Sequence, residues 1–115
     1  MADESLELVP GTLAVLILRT LGWEPMHGYG ISQWIRERTG GVLAVQDAAL
    51  YQSLRRLEKK GWVEAEWART ENNRRARYYR LTPAGRAQLT HETATWRRYV
   101  EAVFSVLEPA PGGAA

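Results

Sequence analysis

The sequence predicts an α+β fold that is mainly α-helical with one small β-hairpin, and three observations predict it. Apolar residues recur at helical spacing in three segments before residue 61 and in one long segment after residue 82. Between these segments the apolar period becomes two, over residues 63–67 and 77–81, on either side of a polar turn. Capping residues, glycines and a proline stand at the ends of the helical segments. The expected order is therefore three helices, two strands and a last helix.

The first two helices are predicted from capping signals and apolar spacing. The first covers residues 13–21, with Thr12 as its N-cap and Gly22 at its end. Apolar residues occupy nearly its whole circumference, so it must be buried on more than one side, and we expect a second subunit to supply part of that cover. The second helix follows His27-Gly28-Tyr29-Gly30 and ends before Gly40-Gly41. Its core side comprises Ile31, Trp34 and Ile35.

The third predicted helix has two sides of different character. Asp47 is its expected N-cap, and Gly61 is expected to end it in the left-handed conformation. Its core side comprises Leu50, Leu54 and Leu57. The outer side is small at its start and cationic towards its end, with Ala48, Gln52, Arg55, Arg56 and Lys59.

A hairpin with a basic tip and a long helix complete the chain. Alternation predicts strands over residues 63–67 and 77–81, with Asn72-Asn73 as the turn between them. The Thr82-Pro83 pair predicts the start of the last helix, which is expected to run to about Leu107. Its apolar stripe has little left in the chain to pack against, so we expect it to pair with a helix of a second chain. The stripe comprises Trp96, Tyr99, Val100, Val103, Phe104 and Leu107.

The composition limits the class of protein. The chain has 115 residues, 45% hydrophobic and 24% charged, which suits one globular domain. It has no cysteine, so disulfides, thiolate zinc sites and thiol nucleophiles are excluded. Its longest apolar run, Leu13 to Leu18, is far shorter than the roughly 18–20 residues of a membrane span, and acidic residues precede it where a signal peptide would be basic. We expect a cytoplasmic protein with no membrane contact.

The charge is distributed unevenly along the chain. The net charge is +2, yet residues 1–54 carry −3, residues 55–86 carry +6 and residues 87–115 carry −1. A concentration of basic residues is typical of proteins that bind a polyanion such as nucleic acid, but it also occurs on ordinary solvated surfaces. Charge alone leaves both interpretations open.

The order of elements favours nucleic acid. A helix that is small and cationic on its outer side, followed by a basic hairpin, is the arrangement of a winged helix-turn-helix, whose second helix fits the DNA major groove. Small residues would allow close approach, polar side chains would hydrogen-bond bases or phosphates, and cations would neutralise phosphates. The predicted DNA contacts are Ala48, Ala49, Gln52, Ser53, Arg55, Arg56 and Lys59 on the third helix, and Arg74, Arg75 and Arg77 at the hairpin tip.

The remaining aromatic and histidine residues have structural interpretations. Trp34, Trp62 and Trp67 fit packing positions. His27 and His91 lie far apart without partners at ligand spacing, so we expect no metal site and expect His27 to pack or to cap a helix. The sequence has no nucleophile elbow and no complete phosphate-binding glycine loop. We therefore predict neither catalytic residues nor a cofactor.

Two segments carry a family resemblance. The sequences from Ala49 to Val63 and from Arg77 to Arg86 resemble the PadR family of bacterial transcriptional regulators. The upstream segments Leu13 to Leu21 and His27 to Ile31 also match that family, so the resemblance covers about residues 8–107. The chain departs from the common family pattern at two positions, with Ala48 where Gly or Ser is common and Gln52 where Pro is common.

The resemblance implies a homodimeric winged-helix repressor that binds double-stranded DNA at a pseudopalindromic operator. It implies that Tyr51 lies near a phosphate and that Tyr78 and Tyr79 lie in a wing strand, and some members of the family sense aromatic compounds in a cavity at the dimer interface. Trp96 is expected to face that interface, where it could either pack in the core or stack on an aromatic small-molecule effector. The chain length matches the branch of the family with one C-terminal helix. The implied dimer interface comprises Leu13, Leu16, Ile17, Trp96, Val100, Val103, Phe104 and Leu107.

These inferences give a three-part organisation. We expect a winged helix-turn-helix DNA-binding domain over residues 8–82, a dimerisation helix over residues 83–108 and a disordered tail over residues 109–115. The predicted function is sequence-specific DNA-binding regulation, with repression released by a signal. Two alternatives stay open: a winged-helix module that binds an acidic protein, and a dimer that binds an aromatic small molecule without a DNA role.

Overall fold

A computed structural model of the chain describes residues 5–109. The tail that was expected to be disordered lies outside the described residues except at Pro109. Within these residues the fold has four helices and three strands, as the sequence predicts apart from one strand. The elements are α1 (Thr12–Trp23), β1 (Met26–His27), α2 (Gly28–Arg38), α3 (Asp47–Lys59), β2 (Val63–Arg69), β3 (Arg75–Leu81) and α4 (Pro83–Leu107).

The three strands form one antiparallel sheet in the order β1-β3-β2. The predicted hairpin is confirmed, and its register pairs Val63 with Leu81 at the base and Arg69 with Arg75 at the tip. The short strand β1 was not predicted, because two residues are too few to show a period. It pairs His27 with Tyr78, and this pairing holds the start of α2 against the hairpin.

Helix α1 lies at the centre of the core, where it contacts α2, α3, α4 and β3. Ile17, Leu18 and Leu21 are fully or almost fully buried within the single chain, as is Thr20, which donates a hydrogen bond to the Leu16 carbonyl. The apolar circumference of α1 is therefore satisfied mostly by its own chain. A second subunit was expected to cover part of α1. That expectation is wrong for the buried residues of the helix, and only its half-buried residues remain for a second subunit to cover.

The ends of α1 also differ from the expectation. Its N-cap is Gly11, in the left-handed conformation, and the Thr12 hydroxyl is buried without a hydrogen-bond partner. The helix does not stop at Gly22 but runs one residue further, to Trp23. Gly22 serves packing instead, since a Cβ there would lie 3.0 Å from the Leu89 side chain of α4.

Helices α2 and α3 follow the predicted pattern closely. His27 caps α2, because its Nδ1 accepts a hydrogen bond from the Gly30 amide (3.0 Å). Of the two roles expected for this residue, packing or capping a helix, the capping role is confirmed. In α3 the three leucines predicted for the core are buried, and Gly61 has the left-handed φ of 78° that ends the helix. The N-cap of α3 is Gln46, so Asp47 is the first helical residue rather than the cap.

The junction between the hairpin and α4 is tightly packed. Thr82 Oγ1 accepts a hydrogen bond from the Gly85 amide (3.0 Å) and donates one to the Gly61 carbonyl (2.6 Å), which confirms the predicted cap. The Thr82 amide donates to the Trp62 carbonyl (3.1 Å). Because Gly85 has no side chain, α4 can start directly against that carbonyl; a Cβ would overlap the Trp62 oxygen.

The second half of α4 extends beyond the core. Leu89 is buried against α1, but every residue from Arg97 to Pro109 is exposed. A helix of 25 residues is about 37 Å long, and only its first part has neighbours within the chain. The prediction that the apolar stripe of this helix lacks cover within its own chain is confirmed.

Candidate nucleic-acid interface

The outer side of α3 presents the predicted DNA-contacting residues, with one exception. The sequence places them there because the three core leucines of α3 turn the opposite side outward. Their side chains are exposed and make no ion pair within residues 5–109. They are Ala48, Ala49, Gln52, Arg55, Arg56 and Lys59.

Ser53 is the exception. It is only 7% exposed and lies on the core side of α3, so it is not part of the exposed outer side of the helix. The prediction that Ser53 contacts DNA is wrong. Helical spacing explains its burial, because Ser53 stands three residues after Leu50, on the same side of the helix.

Tyr51 connects the two helices of the helix-turn-helix. Its phenol lies against Gly28 at the start of α2, where any Cβ would overlap the ring. Partial burial, together with the nearby Tyr79 and Asp47, raises the pKa of Tyr51 above its ordinary value. Like that of any tyrosine, the hydroxyl is protonated at neutral pH and can donate a hydrogen bond. Its place near a phosphate stays a prediction.

The hairpin tip is held in a defined shape. Thr70 Oγ1 accepts hydrogen bonds from the amides of Asn72 and Arg74 (both 3.2 Å). Asn73 has the left-handed φ of 62° that the predicted Asn-Asn turn requires, and its carbonyl accepts a hydrogen bond from Arg69 (3.0 Å). These bonds hold the backbone of the tip in one conformation. They therefore fix the backbone positions from which the nearby arginine side chains extend.

The three predicted hairpin arginines have different partners. Arg77 forms an ion pair with Glu58 (3.0 Å), which joins α3 to the hairpin. The Arg75 guanidinium lies over the Trp67 ring, 4.6 Å from its centroid. Arg74 has no side-chain hydrogen bond or ion pair in the described part of the chain, so its charge is the most available to an anion.

The apolar stripe on α4 is the second exposed surface of note. Phe104 is 51% exposed and Leu107 68%, which is unusual for large apolar side chains on one side of a helix. Trp96 is half-buried and meets Tyr99 edge to face, with 5.8 Å between ring centroids. Of the α1 residues predicted at the dimer interface, Leu13 and Leu16 are half-buried, but Ile17 is 0% exposed. Ile17 belongs to the core of the single chain, and its predicted interface role is wrong.

Comparison with known proteins decides the family. A family profile described as "Transcriptional regulator PadR-like family" matches residues 17–91. The chain belongs to the PadR-like family. A related, uncharacterised protein of Lysinibacillus sphaericus is 32% identical over 89% of this chain and 94% of its own length.

Solved structures agree with this membership. A transcriptional regulator from Clostridium thermocellum has a TM-score of 0.80 and 26% identity, covering 92% of this chain and all of the other. A PadR family transcription regulator from Clostridium difficile R20291 has a TM-score of 0.74 and 25% identity, covering 85% of this chain and all of the other. These matches confirm the winged-helix α+β fold and identify this PadR-like chain as a DNA-binding transcriptional regulator and not an enzyme.

Two further features were looked for among residues 5–109 of this PadR-like chain. Within residues 5–109, no three His, Asp or Glu residues lie close enough together to hold a metal ion. In the same stretch, no helix has the length and apolar character needed to cross a membrane.

Sequence reasoning missed several residues that line an open cleft of about 1120 Å³. The cleft lies between α2 and Tyr51 of α3 on one side and the hairpin on the other. We call it the wing cleft. On the α2 side of the wing cleft Tyr29 is 69% exposed, and on the hairpin side Trp67 is 56% exposed. Trp67 was expected to pack in the core; it lies on the core side of β2, but beyond the point where the helices cover the sheet. The wing cleft is lined by His27, Gly28, Tyr29, Gly30, Gln33, Glu37, Tyr51, Trp67, Thr70, Glu71, Asn72, Arg74, Arg75, Ala76, Arg77 and Tyr79.

Proposed function

We propose that the protein is a homodimeric, sequence-specific DNA-binding repressor that acts in the cytoplasm. The observation that carries the proposal is the outer side of α3, where small, polar and cationic side chains are exposed without partners among the described residues. A helix of this kind fits the major groove, where close approach needs small residues and base recognition needs polar ones. Membership of a family of transcriptional regulators supports the same conclusion.

The dimer in this proposal forms through α4. The exposed stripe on the second half of the helix contains large apolar residues that one chain leaves in water. The half-buried Leu13 and Leu16 of α1 offer an apolar surface that could receive it from a second copy. A two-fold dimer would place two recognition helices about 34 Å apart, so that each reads one half of a pseudopalindromic operator.

In this proposal a signal releases the protein from DNA. The absence of cysteine excludes a thiol switch, so the signal must be a ligand, a partner or a change in concentration. An aromatic compound at the dimer interface could stack on Trp96, which is half-buried and already in contact with Tyr99.

The experiment that tests sequence-specific binding is a selection from a random-sequence pool of duplex DNA. We expect the protein to enrich one pseudopalindromic sequence in the presence of excess heparin, which competes for purely electrostatic binding. Retention of duplexes without any enriched sequence would support only non-specific binding. If an acidic protein from nuclease-treated extract is retained while no duplex is, the protein-interaction alternative is correct instead.

Arg74→Ala is expected to weaken binding to the selected duplex and to unrelated duplexes alike, by about threefold to tenfold. The reason is that Arg74 is the hairpin arginine without a partner in the described chain, so it is free to contact a phosphate, and phosphates carry no sequence information. Fluorescence anisotropy at several salt concentrations measures the effect. The slope of log K against log salt should fall by about 0.9 if one phosphate contact is lost.

Arg80→Ala is the matched control for this variant. Arg80 is paired with Glu64 (3.1 Å) near the base of the hairpin, away from its tip, so its removal should leave the affinity and the salt slope almost unchanged. Equal losses in both variants would show that the hairpin acts through overall charge and not through its tip.

Gln52→Ala is expected to reduce discrimination at one base pair of each half-site by about 1–3 kcal/mol, with a smaller loss of total affinity. Gln52 is exposed on the outer side of α3, and its amide can form a bidentate contact with adenine. Competition with duplexes that carry single base substitutions measures the change. Gln88→Ala on α4 is the control, and a similar loss there would remove Gln52 from the recognition surface.

A further inference from the structure

The edge of strand β3 is open near the tip of the hairpin. Strand β1 pairs with β3 only at Tyr79 and Tyr78, and it ends at His27, opposite Tyr78. The next residues of β3 towards the tip, Arg75–Arg77, have β2 on one side and, within residues 5–109, no strand on the other. An open edge of this kind can pair with another extended chain.

The main-chain groups of Arg75 and Arg77 point towards this open edge. Near the tip, the Thr70 amide donates a hydrogen bond to the Arg74 carbonyl (2.8 Å). Along an antiparallel pair of strands, residues that bond to the partner strand alternate with residues that do not. The register is continuous from this point, so Ala76 bonds to β2, whereas Arg75 and Arg77 direct their N–H and C=O groups away from β2.

The wing cleft runs along this open edge. Its lining includes the end of β1 at His27, the edge residues Arg75–Arg77 and the hairpin turn. An extended chain in the wing cleft would therefore lie in line with β1. On the opposite wall, Tyr29 and Gln33 of α2 offer a hydroxyl and an amide that can hydrogen-bond a polar side chain. An open cleft of about 1120 Å³ is larger than the roughly 300–1,000 Å³ of most small-molecule pockets, and it suits an elongated occupant.

The charges of the wing cleft favour an occupant with an acidic residue. Its lining contains three arginines and two carboxylates, Glu37 and Glu71. Arg77 is already paired with α3, so Arg74 and Arg75 carry the charge that has no ion-pair partner within residues 5–109. A carboxylate opposite Arg75 would form a cross-strand ion pair. Because the two glutamates would repel a run of acidic residues, we expect one acidic residue at that position.

The same edge of a second copy is not a suitable occupant. In an antiparallel pair, the bonded residues of the two strands lie opposite each other, and this edge offers bonding groups at Arg75 and Arg77. Pairing two copies through these groups would place arginine beside arginine, and like charges directly opposite each other are destabilising. Charge therefore favours an acidic segment of a different protein over a pairing of two copies.

We propose that the wing cleft binds an extended peptide segment of a partner protein, which adds to the sheet along Arg75–Arg77 and places an acidic residue beside Arg75. Main-chain hydrogen bonds to the open edge supply affinity in this mode of recognition, and alternate side chains supply specificity. The inference goes beyond the proposed function, because it concerns a protein partner. If the proposed function is correct, this partner would compete with DNA for the hairpin arginines and so release the protein from its operator.

The test starts with a phage-displayed library of random peptides of about ten residues, selected on the full chain without DNA. We expect the enriched peptides to share an acidic residue within an extended pattern, and one of them is then synthesised with a fluorophore. Arg75→Ala is expected to weaken its binding about threefold to fivefold, as measured by fluorescence anisotropy. Arg80→Ala is the matched control, since Arg80 is paired with Glu64 and its main chain faces β2. Its peptide affinity should be unchanged.

Methylation of single backbone nitrogens in the synthetic peptide tests strand addition itself. A methyl group on a nitrogen that bonds Arg75 or Arg77 should weaken binding about tenfold, whereas one on the next nitrogen, which faces away from the edge, should have little effect. Hydrogen exchange at the amides of Arg75 and Arg77 should become slower when the unmodified peptide is bound. Because methylation leaves the protein unaltered, misfolding cannot explain a loss of binding.

Failure to enrich any peptide would overturn the inference, and so would equal effects of methylation at successive nitrogens. Equal peptide affinities of the Arg75→Ala variant and the original protein would also contradict it. The proposed function is judged separately, by the selection of duplex DNA. A protein that selects a duplex but no peptide keeps the proposed function and loses this inference, whereas one that selects such a peptide but no duplex keeps the inference and loses the proposed function.

Discussion

Phe104→Glu is expected to convert the protein from a dimer to a monomer and to lower its affinity for the selected operator at least about 100-fold. Phe104 lies in the exposed stripe on α4, where a carboxylate would have to be buried against a second copy of the helix. A monomer reads only one half-site, so the advantage of two linked contacts is lost. Sedimentation at micromolar concentration and anisotropy with the selected duplex measure the two effects.

Ser105→Glu is the control for this variant. Ser105 is exposed on the opposite side of α4 from the stripe, so the same charge there should leave both the dimer and the DNA affinity unchanged. A Phe104→Glu protein that remains a dimer, or a monomer that binds the operator as tightly as before, would contradict dimerisation through this stripe.

Gly85→Ala is expected to lower the free energy of unfolding by about 3 kcal/mol. The new methyl group would overlap the Trp62 carbonyl oxygen, which is backbone and cannot rotate away as a side chain could. Relief of the overlap requires α4 to shift, and this weakens the hydrogen bond from the Thr82 amide to the same carbonyl. Urea denaturation at a fixed protein concentration measures the loss, since a dimer's stability depends on concentration.

Gly30→Ala provides the comparison for the same chemical change. Gly30 lies inside α2, and the nearest atom to a new Cβ would be His27 Cε1 at 3.4 Å, an ordinary contact. Alanine favours a helix by up to about 1 kcal/mol over glycine, so this variant should be as stable as the original or slightly more stable. Similar destabilisation by both variants would mean that lost backbone freedom, and not the contact with Trp62, sets the effect.

Much of the fold could be predicted because the capping residues and the spacing of the core residues indicate the same elements. Thr82 followed by Pro83 marked the start of α4 correctly, and the three leucines of α3 marked its buried side. The same type of signal failed at Thr12, where Gly11 caps the helix and the Thr12 hydroxyl is buried. A capping residue only permits a helix start, and the tertiary contacts around it choose between neighbouring positions.

The site was harder to predict because exposure depends on where neighbouring elements end. Trp67 alternates with the core residues of β2 and so was expected to be buried, but the hairpin extends past the helices and leaves it exposed. Ser53 and Ile17 were assigned to binding surfaces although the folded chain buries both. Ser53 could have been placed correctly from its spacing to Leu50, whereas the burial of Ile17 required knowledge of how α1 packs against four other elements.

Hydroxyl-radical footprinting of the selected duplex tests the central claim most directly, because it shows where the protein contacts the backbone and how many times. Two chains bound per duplex should protect two regions whose centres lie about 10 base pairs apart on the same face of the DNA. A single protected region with one chain per duplex, or uniform protection without a defined position, would contradict a dimer that reads two half-sites.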